Sequence, residues 1–556
     1  MKASEVHMQY LDEAFDENGV VCKSELNLPD NFNYAYDIID KIAECEPHRR
    51  AMIWCDDEGR KRTFTYGEFS KLSNRAANLF TDKGIKKGDR VMCVLKRHWQ
   101  IWIIILALDK IGAVLIPATN QLKKKDYVFR FRAGDVKAIV ATADGEVTEN
   151  VEQALTEYPL KEQFIVKGSR EGWVDFDDLL MNYPDTFERV ENHVDDDCLM
   201  FFSSGTTGYP KMVMHSHRYG AAHIPTAKYW HHINSESIHL TISESGWGKF
   251  FWGKFYGQLA LGATVMAYDF TRFVPADVLK MIEQYKVTSL CCPATIYRFF
   301  IKEGMEGYDI SSLRYATTAG EALNSEVYNK FFEYTGLKLM EGFGQTETVL
   351  IIGNPYNSVT RSGSMGKAMP LFNVIVADPD GKECPPNTTG EICVVLREGV
   401  NNGIFKGYVN NDEANAKAFS NGLYHTGDTA YRDKDGYFWY VGRVDDVIKS
   451  SGYRIGPFEI ESVLMEHPAV LECAVTGAPD PIRGQVVKAS IVLTKKYKEK
   501  TPEELEALKD ELKKHVKTNT APYKYPRIID FVDDLPKTIS GKIRRVEIRE
   551  RDNKKA

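Results

Sequence analysis

Ser203-Ser204-Gly205-Thr206-Thr207-Gly208-Tyr209-Pro210-Lys211 follows directly on the apolar run 199–202. An apolar run that stops at hydroxyls and glycines reads as a buried strand entering a loop. Small, hydroxyl-bearing and glycine residues let backbone N–H groups approach phosphate oxygens, and Lys211 adds a positive charge. The spacing is not that of a Walker A loop, because Lys211 stands three residues after Gly208 with Pro210 between them. Taken alone, a loop of this composition is more often a plain connection.

Outward from that loop, short apolar runs alternate with helical patterns. Thr65 and Glu68 form a capping box, and Phe69, Leu72, Ala76 and Leu79 behind it share one helical face. Gly84 ends that helix, and 90–95 follows as a strand. Further buried strands are expected at 138–141, 199–202, 263–268 and 287–292. This alternation predicts an α/β fold with parallel sheets. Residues 370–445 differ, being rich in glycine and strand signals. Beyond them, strands are expected at 470–476, 486–493 and 528–532, with a helix over about 503–517 that carries Leu505, Leu508, Leu512 and Val516 on one face. The reading is a large N-terminal domain over 1–444, followed by a small α+β C-terminal domain over 445–556. The large domain would hold stacked parallel and mixed sheets with helices, plus a β-rich subdomain.

A chain of 556 residues is too long for one core. With 43% hydrophobic and 27% charged residues it is not a disordered chain, a collagen or a coiled-coil rod. The longest apolar run, 101–108, is too short to span a bilayer, and residues 1–20 show no signal-peptide core. A cytoplasmic protein is expected. The net charge of −7 argues against nucleic acid or a membrane as the main partner. From residue 446 onward there are 22 Lys and Arg against 18 Asp and Glu, so a slightly basic end adjoins an acidic body; on charge alone it reads as a solvated surface. The ten cysteines form no CxxC pair, which argues against a zinc site or a disulfide framework. Cys291 and Cys292 read as buried packing residues in a reduced compartment.

Three further stretches carry chemistry. Glu341-Gly342-Phe343-Gly344-Gln345-Thr346-Glu347 offers hydroxyl, amide and carboxylate groups on a glycine-opened backbone, and Glu347 is suited to hold Mg²⁺. Next come Tyr424-His425-Thr426-Gly427-Asp428, Gly442-Arg443-Val444-Asp445-Asp446 and the 450–456 loop. There Asp428 suits a ribose diol, and Arg443 and Arg454 suit phosphate. The last is Pro536-Lys537-Thr538-Ile539-Ser540-Gly541-Lys542 near the C-terminus. Each stretch alone is also explained as a turn or a basic tail.

In this order and spacing the four stretches resemble the adenylate-forming superfamily, from about residue 40 to 550, and within it the medium-chain acyl-CoA synthetase branch related to acetyl-CoA synthetase. The resemblance implies ATP and CoA as co-substrates, Mg²⁺, and a small carboxylic acid. The acid is converted to acyl-AMP with release of pyrophosphate, and the acyl group then passes to CoA. It implies that Ser203, Ser204, Gly205, Thr206, Thr207, Gly208 and Lys211 hold the β- and γ-phosphates. Gly320, Glu321 and Ala322 would lie against adenine, and many relatives have proline in place of Ala322. Glu341, Gly342, Phe343, Gly344 and Gln345 complete the nucleotide site. Thr346 would contact the α-phosphate and Glu347 the Mg²⁺. Asp428 would take the ribose hydroxyls, with Arg443 in support. Asp445 would be the hinge of a mobile C-terminal domain, with Lys542 reaching the site in the first half-reaction. Arg454 would change partners between the two states. His215 and His217 read as structural.

By the same resemblance, CoA contacts fall at Gln121, Ser451, Gly452, Tyr453, Arg483, Lys517, Tyr525, Pro526 and Arg527. Gly452 would leave room for pantetheine by lacking a side chain. Acetate-specific relatives place a tryptophan where this chain has Gly344, so a longer acyl cavity is expected, with Trp247 as another wall. A medium-length, branched or aromatic acid is expected. Lys249 and Lys254, set among aromatic residues, are expected to face solvent, with one of them lying near the acyl tail as the alternative. One rival is an adenylation enzyme that loads a carrier protein. Only 14 residues follow Lys542, which argues against a fused carrier and leaves a separate one open. A non-catalytic nucleotide-binding regulator is a second rival, opposed by the presence of Lys542, Glu347 and Asp428.

Overall fold

The structure is a computed structural model that describes all residues except 204–209, 322, 324, 398, 399, 401, 451, 452, 482, 539–541 and 554–556. Two large sheets dominate. In the first, five strands form a parallel block: Val114–Pro117, Arg90–Val94, Val136–Thr142, Glu162–Val166 and Val174–Asp175. Asp197–Ser203 adds to that block in parallel, and Lys211–Ser216 and Gly407–Tyr408 follow antiparallel. The second sheet has a parallel centre of Leu339–Phe343, Tyr315–Ala319, Ser289–Cys292, Ile238–Thr241, Thr264–Asp269 and Arg50–Asp56. Parallel strands of this kind are covered on both faces, which is why they read as unbroken apolar runs.

The capping box is formed as expected: Thr65 caps helix Tyr66–Asp82, with Glu68 bonded back to it. The apolar run 101–108 lies in helix Gln100–Ile111, where every residue but Asp109 is buried. This helix packs beside strand Val114–Pro117, and Trp102 meets Phe250 at 4.9 Å, so an all-round apolar helix belongs to the interior. No helix among the described residues is long and apolar enough to cross a membrane. Cys291 and Cys292 are buried on strand Ser289–Cys292.

The glycine-rich stretch forms a separate sheet of Val374–Ala377, Gly390–Val395, Leu423–Arg432, Phe419–Ser420 and Phe438–Arg443. After Val444–Asp446, a last sheet of Tyr453–Ile455, Ile448–Ser450, Gly484–Leu493, Val470–Asp480 and Ile528–Phe531 encloses its own core. Helix Pro502–Asn519 closes that core with Leu508, Leu512 and Val516. Across the junction Tyr440 packs edge-on against Phe458, their centroids 5.9 Å apart. At the end of the Val444–Asp446 turn, Asp446 accepts from Arg549 at 2.5 Å, which ties the start of the small domain to helix Arg545–Asn553.

Candidate active site

Strand Asp197–Ser203 pairs with Lys211–Ser216 so that Ser203 stands opposite Lys211. The residues expected to cradle phosphate, Ser204, Gly205, Thr206, Thr207 and Gly208, lie outside the described residues, but both ends of that stretch are placed. Lys211 Nζ sits 4.5 Å over the Tyr408 ring. The Tyr408 hydroxyl donates to Glu347 Oε1 at 2.9 Å. Tyr408 therefore joins the first motif to the second, although no local motif marks it. Burial pushes the Glu347 carboxyl above its usual range, against that hydrogen bond and the charges of Arg443 and Lys211.

The second motif leaves strand Leu339–Phe343 at Gly344, and its side chains reach two other elements. Gln345 Nε2 donates to the Thr426 carbonyl at 2.8 Å and to Asp428 Oδ2 at 2.5 Å, and its oxygen accepts from Tyr424 at 2.7 Å. The Thr346 carbonyl is held by His215 Nε2 at 2.8 Å. Burial drives His215 down to about 3, so its ring is neutral and Nε2 carries the donated proton. His215 is structural as expected, yet what it positions is the residue expected at the α-phosphate. His217 lies with Nδ1 3.0 Å from Asp109 Oδ1, a buried structural contact.

Asp428 collects several partners. Tyr440 donates to Oδ1 at 3.0 Å, and Arg443 Nη1 reaches Oδ2 at 3.0 Å. Burial pushes this carboxyl up, opposed by Arg443, by the Tyr440 and Gln345 hydrogen bonds and by the charge of Lys542. Lys542 is exposed, and its backbone pairs with Thr538, whose N–H donates to the Lys542 carbonyl at 2.8 Å. Asp445, the expected hinge, is exposed in the turn Val444–Asp446.

The adenine stretch is partly structural. Glu321 caps the start of helix Ala294–Glu303, accepting from Thr295 Oγ1 at 2.7 Å and Thr295 N at 3.1 Å. Gly320 has φ +93°, a backbone that favours glycine. Ala322 lies outside the described residues. The Leu323 N–H donates to the buried Glu341 Oε1 at 3.2 Å, and burial pushes Glu341 up to about 7. Glu341 therefore braces this loop from below. Gly342 is required for packing, since a Cβ there would stand 2.6 Å from Leu350 and 2.7 Å from Trp230.

In the acyl region, a Cβ on Gly344 would stand 2.3 Å from Trp252 Cη2, so an indole from another element already lies against residue 344. The lysines do not both face solvent. Lys254 is buried with Nζ on the Ser243 carbonyl at 2.9 Å, and burial drives it down to about 7. Lys249 Nζ donates to the Ala319 carbonyl at 2.6 Å, beside the adenine stretch. Lys254 lies on the buried part of helix Gly248–Lys254, residues 250–254, and Lys249 is half-buried at its start. Trp247 stands at its N-cap, half-buried.

On the small domain Tyr453 stacks on Tyr523, centroids 4.2 Å apart. Lys517 Nζ stands 4.0 Å and the Arg527 guanidinium 5.1 Å from the Tyr525 ring. Pro526 is buried, and the Arg483 N–H donates to Asp480 Oδ1 at 2.8 Å. Gln121 is exposed on the large domain. Ser451, Gly452 and the Arg454 side chain lie outside the described residues.

A family model for the AMP-binding enzyme matches residues 39–409, and one for the AMP-binding enzyme C-terminal domain matches 459–542. The mitochondrial acyl-coenzyme A synthetase ACSM5 of Mus musculus is 41% identical over 534 residues, covering 94% of this chain and 91% of the relative. The mitochondrial acyl-coenzyme A synthetase ACSM3 of Homo sapiens is 38% identical over 543 residues, covering 95% and 91%. Among solved structures, the anthranilate CoA ligase AuaEII in complex with anthranoyl-AMP has a TM-score of 0.85 at 28% identity, covering 95% of this chain and 98% of its own. An acyl-CoA synthetase of Brucella canis has a TM-score of 0.71 at 32% identity, with 96% of each chain covered.

Proposed function

The chain belongs to the AMP-binding enzyme family, and from that premise we propose the reaction of an ATP-dependent, AMP-forming acyl-CoA synthetase with the residues above in named roles. An oxygen of the acid's carboxylate attacks the α-phosphorus of ATP, and the bond to pyrophosphate breaks. The CoA sulfur then attacks the acyl carbon; its proton is lost and AMP leaves with the C–O bonding pair.

The first step brings two anions together, so its main need is positive charge. Lys211 of the large domain and Lys542 of the small domain supply it. The one observation that carries this reading is the meeting of the second and third motifs at Asp428, whose carboxylate accepts from both Gln345 and Arg443. Asp428 holds the ribose hydroxyls, and the charge of Arg443 works against the burial that pushes its carboxyl up. His215 fixes Thr346 against the α-phosphate. Glu347 fits a divalent cation: among the described residues it has no ion pair, its hydrogen bonds come from the Tyr408 hydroxyl and its own backbone N–H, and burial disfavours its charge. Mg²⁺ held there would neutralise charge on the ATP phosphates.

For the second step the small domain turns about Asp445 and presents Tyr453, Lys517, Tyr525 and Arg527 to CoA. The aromatic and cationic side chains suit its adenine and phosphates. The acid is a medium-length, branched or aromatic one. Because Trp252 closes the space beside Gly344, compact branched or aromatic acids fit better than extended linear ones.

Pyrophosphate release measured with C2–C12 linear, branched and aromatic acids, and thioester formation with CoA, test this reading. Acid-dependent pyrophosphate release without any thioester on CoA would replace it with loading of a separate carrier protein.

A further inference from the structure

Strands Gly390–Val395 and Leu423–Arg432 run antiparallel with Cys393 opposite His425. The register then slips, because Glu391 pairs with Thr429. Thr426, Gly427 and Asp428 are bulged out by that slip, with Gly427 at φ +70°. At the foot of the bulge three different side chains converge. Glu391 Oε2 is 2.9 Å from His425 Nδ1, and Cys393 Sγ is 3.5 Å from the same nitrogen. All three ligand atoms lie within 4.8 Å of one another. The second oxygen of Glu391 accepts from the Gly427 N–H at 2.8 Å.

These distances fit metal coordination. A tetrahedral ion about 2.0 Å from nitrogen and about 2.3 Å from sulfur separates the two by roughly 3.5 Å. The nitrogen–oxygen edge of such a site is roughly 3.3 Å, so the observed 2.9 Å contact has only to open by a few tenths of an ångström. Thiolate, imidazole and carboxylate together favour Zn²⁺ or Co²⁺ over Mg²⁺, which takes oxygen ligands. Cys393 is buried, while the side chains of His425 and Glu391 keep 17% and 25% exposure, a route for the ion and a fourth position for water. His425 Nε2 has no hydrogen-bond partner among the described residues, so no hydrogen bond has to break for the small turn that opens the site. Binding must expel the thiol proton, which burial holds tightly, and the Nδ1 proton now shared with Glu391.

We propose that Glu391, Cys393 and His425 form a binding site for one thiophilic divalent cation of the Zn²⁺ class, at the back of the bulge that presents Asp428. Glu391 holds both the ion and the Gly427 N–H, so occupancy braces the residue next to Asp428. The site is separate from the Mg²⁺ expected at Glu347, and its test does not depend on the enzymatic reading.

The full chain, reduced and freed of any affinity tag, is titrated with Co²⁺ and then Zn²⁺. The expected result is one Co²⁺ per chain with a thiolate-to-cobalt absorption in the near ultraviolet, displaced by one equivalent of Zn²⁺. Cys393→Ser should lose that band and keep the far-ultraviolet circular dichroism of the metal-free parent. His425→Asn, which leaves Cys393 in place should the serine variant not fold, should weaken binding by at least about ten-fold. Absence of the band at saturating Co²⁺, or a band that survives Cys393→Ser, overturns the proposal.

Discussion

The indole of Trp252 lies directly against the backbone of Gly344: a Cβ on residue 344 would stand 2.3 Å from Trp252 Cη2 and 2.4 Å from the Val349 carbonyl oxygen. Glycine is there because an indole approaches, not because a cavity is left open. Trp252 is itself held firmly. The last three carbonyls of its helix accept from Gln258 at 2.9 Å, Thr241 at 2.8 Å and Trp102 at 2.9 Å. A seven-residue helix capped by side chains in this way has little freedom to retreat.

Trp252→Ala should therefore widen acid selection, while Gly344→Ala should not. Each added methylene that the enlarged site accepts is worth about 1–3 kcal/mol in discrimination. The measurement is kcat/KM against acid size for the parent and both variants. Bulkier and longer acids should gain on short ones by one to two orders of magnitude in Trp252→Ala, on that per-methylene scale. Gly344→Ala should lower all acids together through overpacking of about 1–3 kcal/mol. An unchanged size profile in Trp252→Ala would remove Trp252 from the pocket floor.

Lys542→Ala should abolish acid-dependent pyrophosphate release yet spare thioester formation from supplied acyl-AMP. On the proposed reading Lys542 serves the nucleotide only in the first half-reaction, whereas the attack of CoA uses another face of the small domain. Equal loss in both half-reactions, measured separately, would contradict the role given to Lys542.

Asp428→Asn should raise the KM for ATP by about ten- to a hundred-fold, since charged hydrogen bonds are worth about 1.5–3 kcal/mol. The ordering of Gln345, Tyr440 and Arg443 around residue 428 would suffer as well. Tyr440→Phe, which removes one donor and keeps the contact with Phe458, should raise it by less than Asp428→Asn. Initial-rate kinetics with varied ATP checks the order.

Glu341 makes stability fall with rising pH. Its folded value of about 7 lies above its ordinary 4.5, so the fold keeps the proton between those values while the unfolded chain gives it up. Its contribution is level below 4.5, declines towards about 7 and is level again above, a total of order 3 kcal/mol at about 1.4 kcal/mol per pH unit. Glu341→Gln keeps an acceptor for the Leu323 N–H and has no charge to bury. It should raise the melting midpoint at pH 8 and leave it nearly unchanged at pH 4.5. A uniform shift at both pH values would show that Glu341 is not the titrating group.

Local signals carried far in this chain. The Thr65 capping box, the buried strands at 138–141 and 287–292, and the amphipathic face of Leu508, Leu512 and Val516 all stand where neighbouring residues place them. They were legible because capping, periodicity and turn chemistry act within a few residues. The motif residues Thr346, Glu347, Asp428, Arg443 and Lys542 were legible for a different reason: their order and spacing resemble those of one family.

What the sequence by itself determined is the set of elements and chemical groups: parallel-sheet strands, a β-rich stretch, a small terminal domain, and the residues able to bind phosphate and ribose. Tertiary structure alone decided which groups meet. Tyr408 on Glu347, Gln345 on Asp428, His215 on Thr346, Cys393 beside His425 and Trp252 on Gly344 join residues 32 to 131 positions apart. The inward turn of Lys249 and Lys254 belongs with them. A lysine between aromatic residues looks solvated in any short window, and only the stacking of the second sheet, the neighbouring helices and the 243–246 loop around helix Gly248–Lys254 removes the water. Periodicity specifies which face of an element is apolar; it carries no information on which distant segment will cover that face.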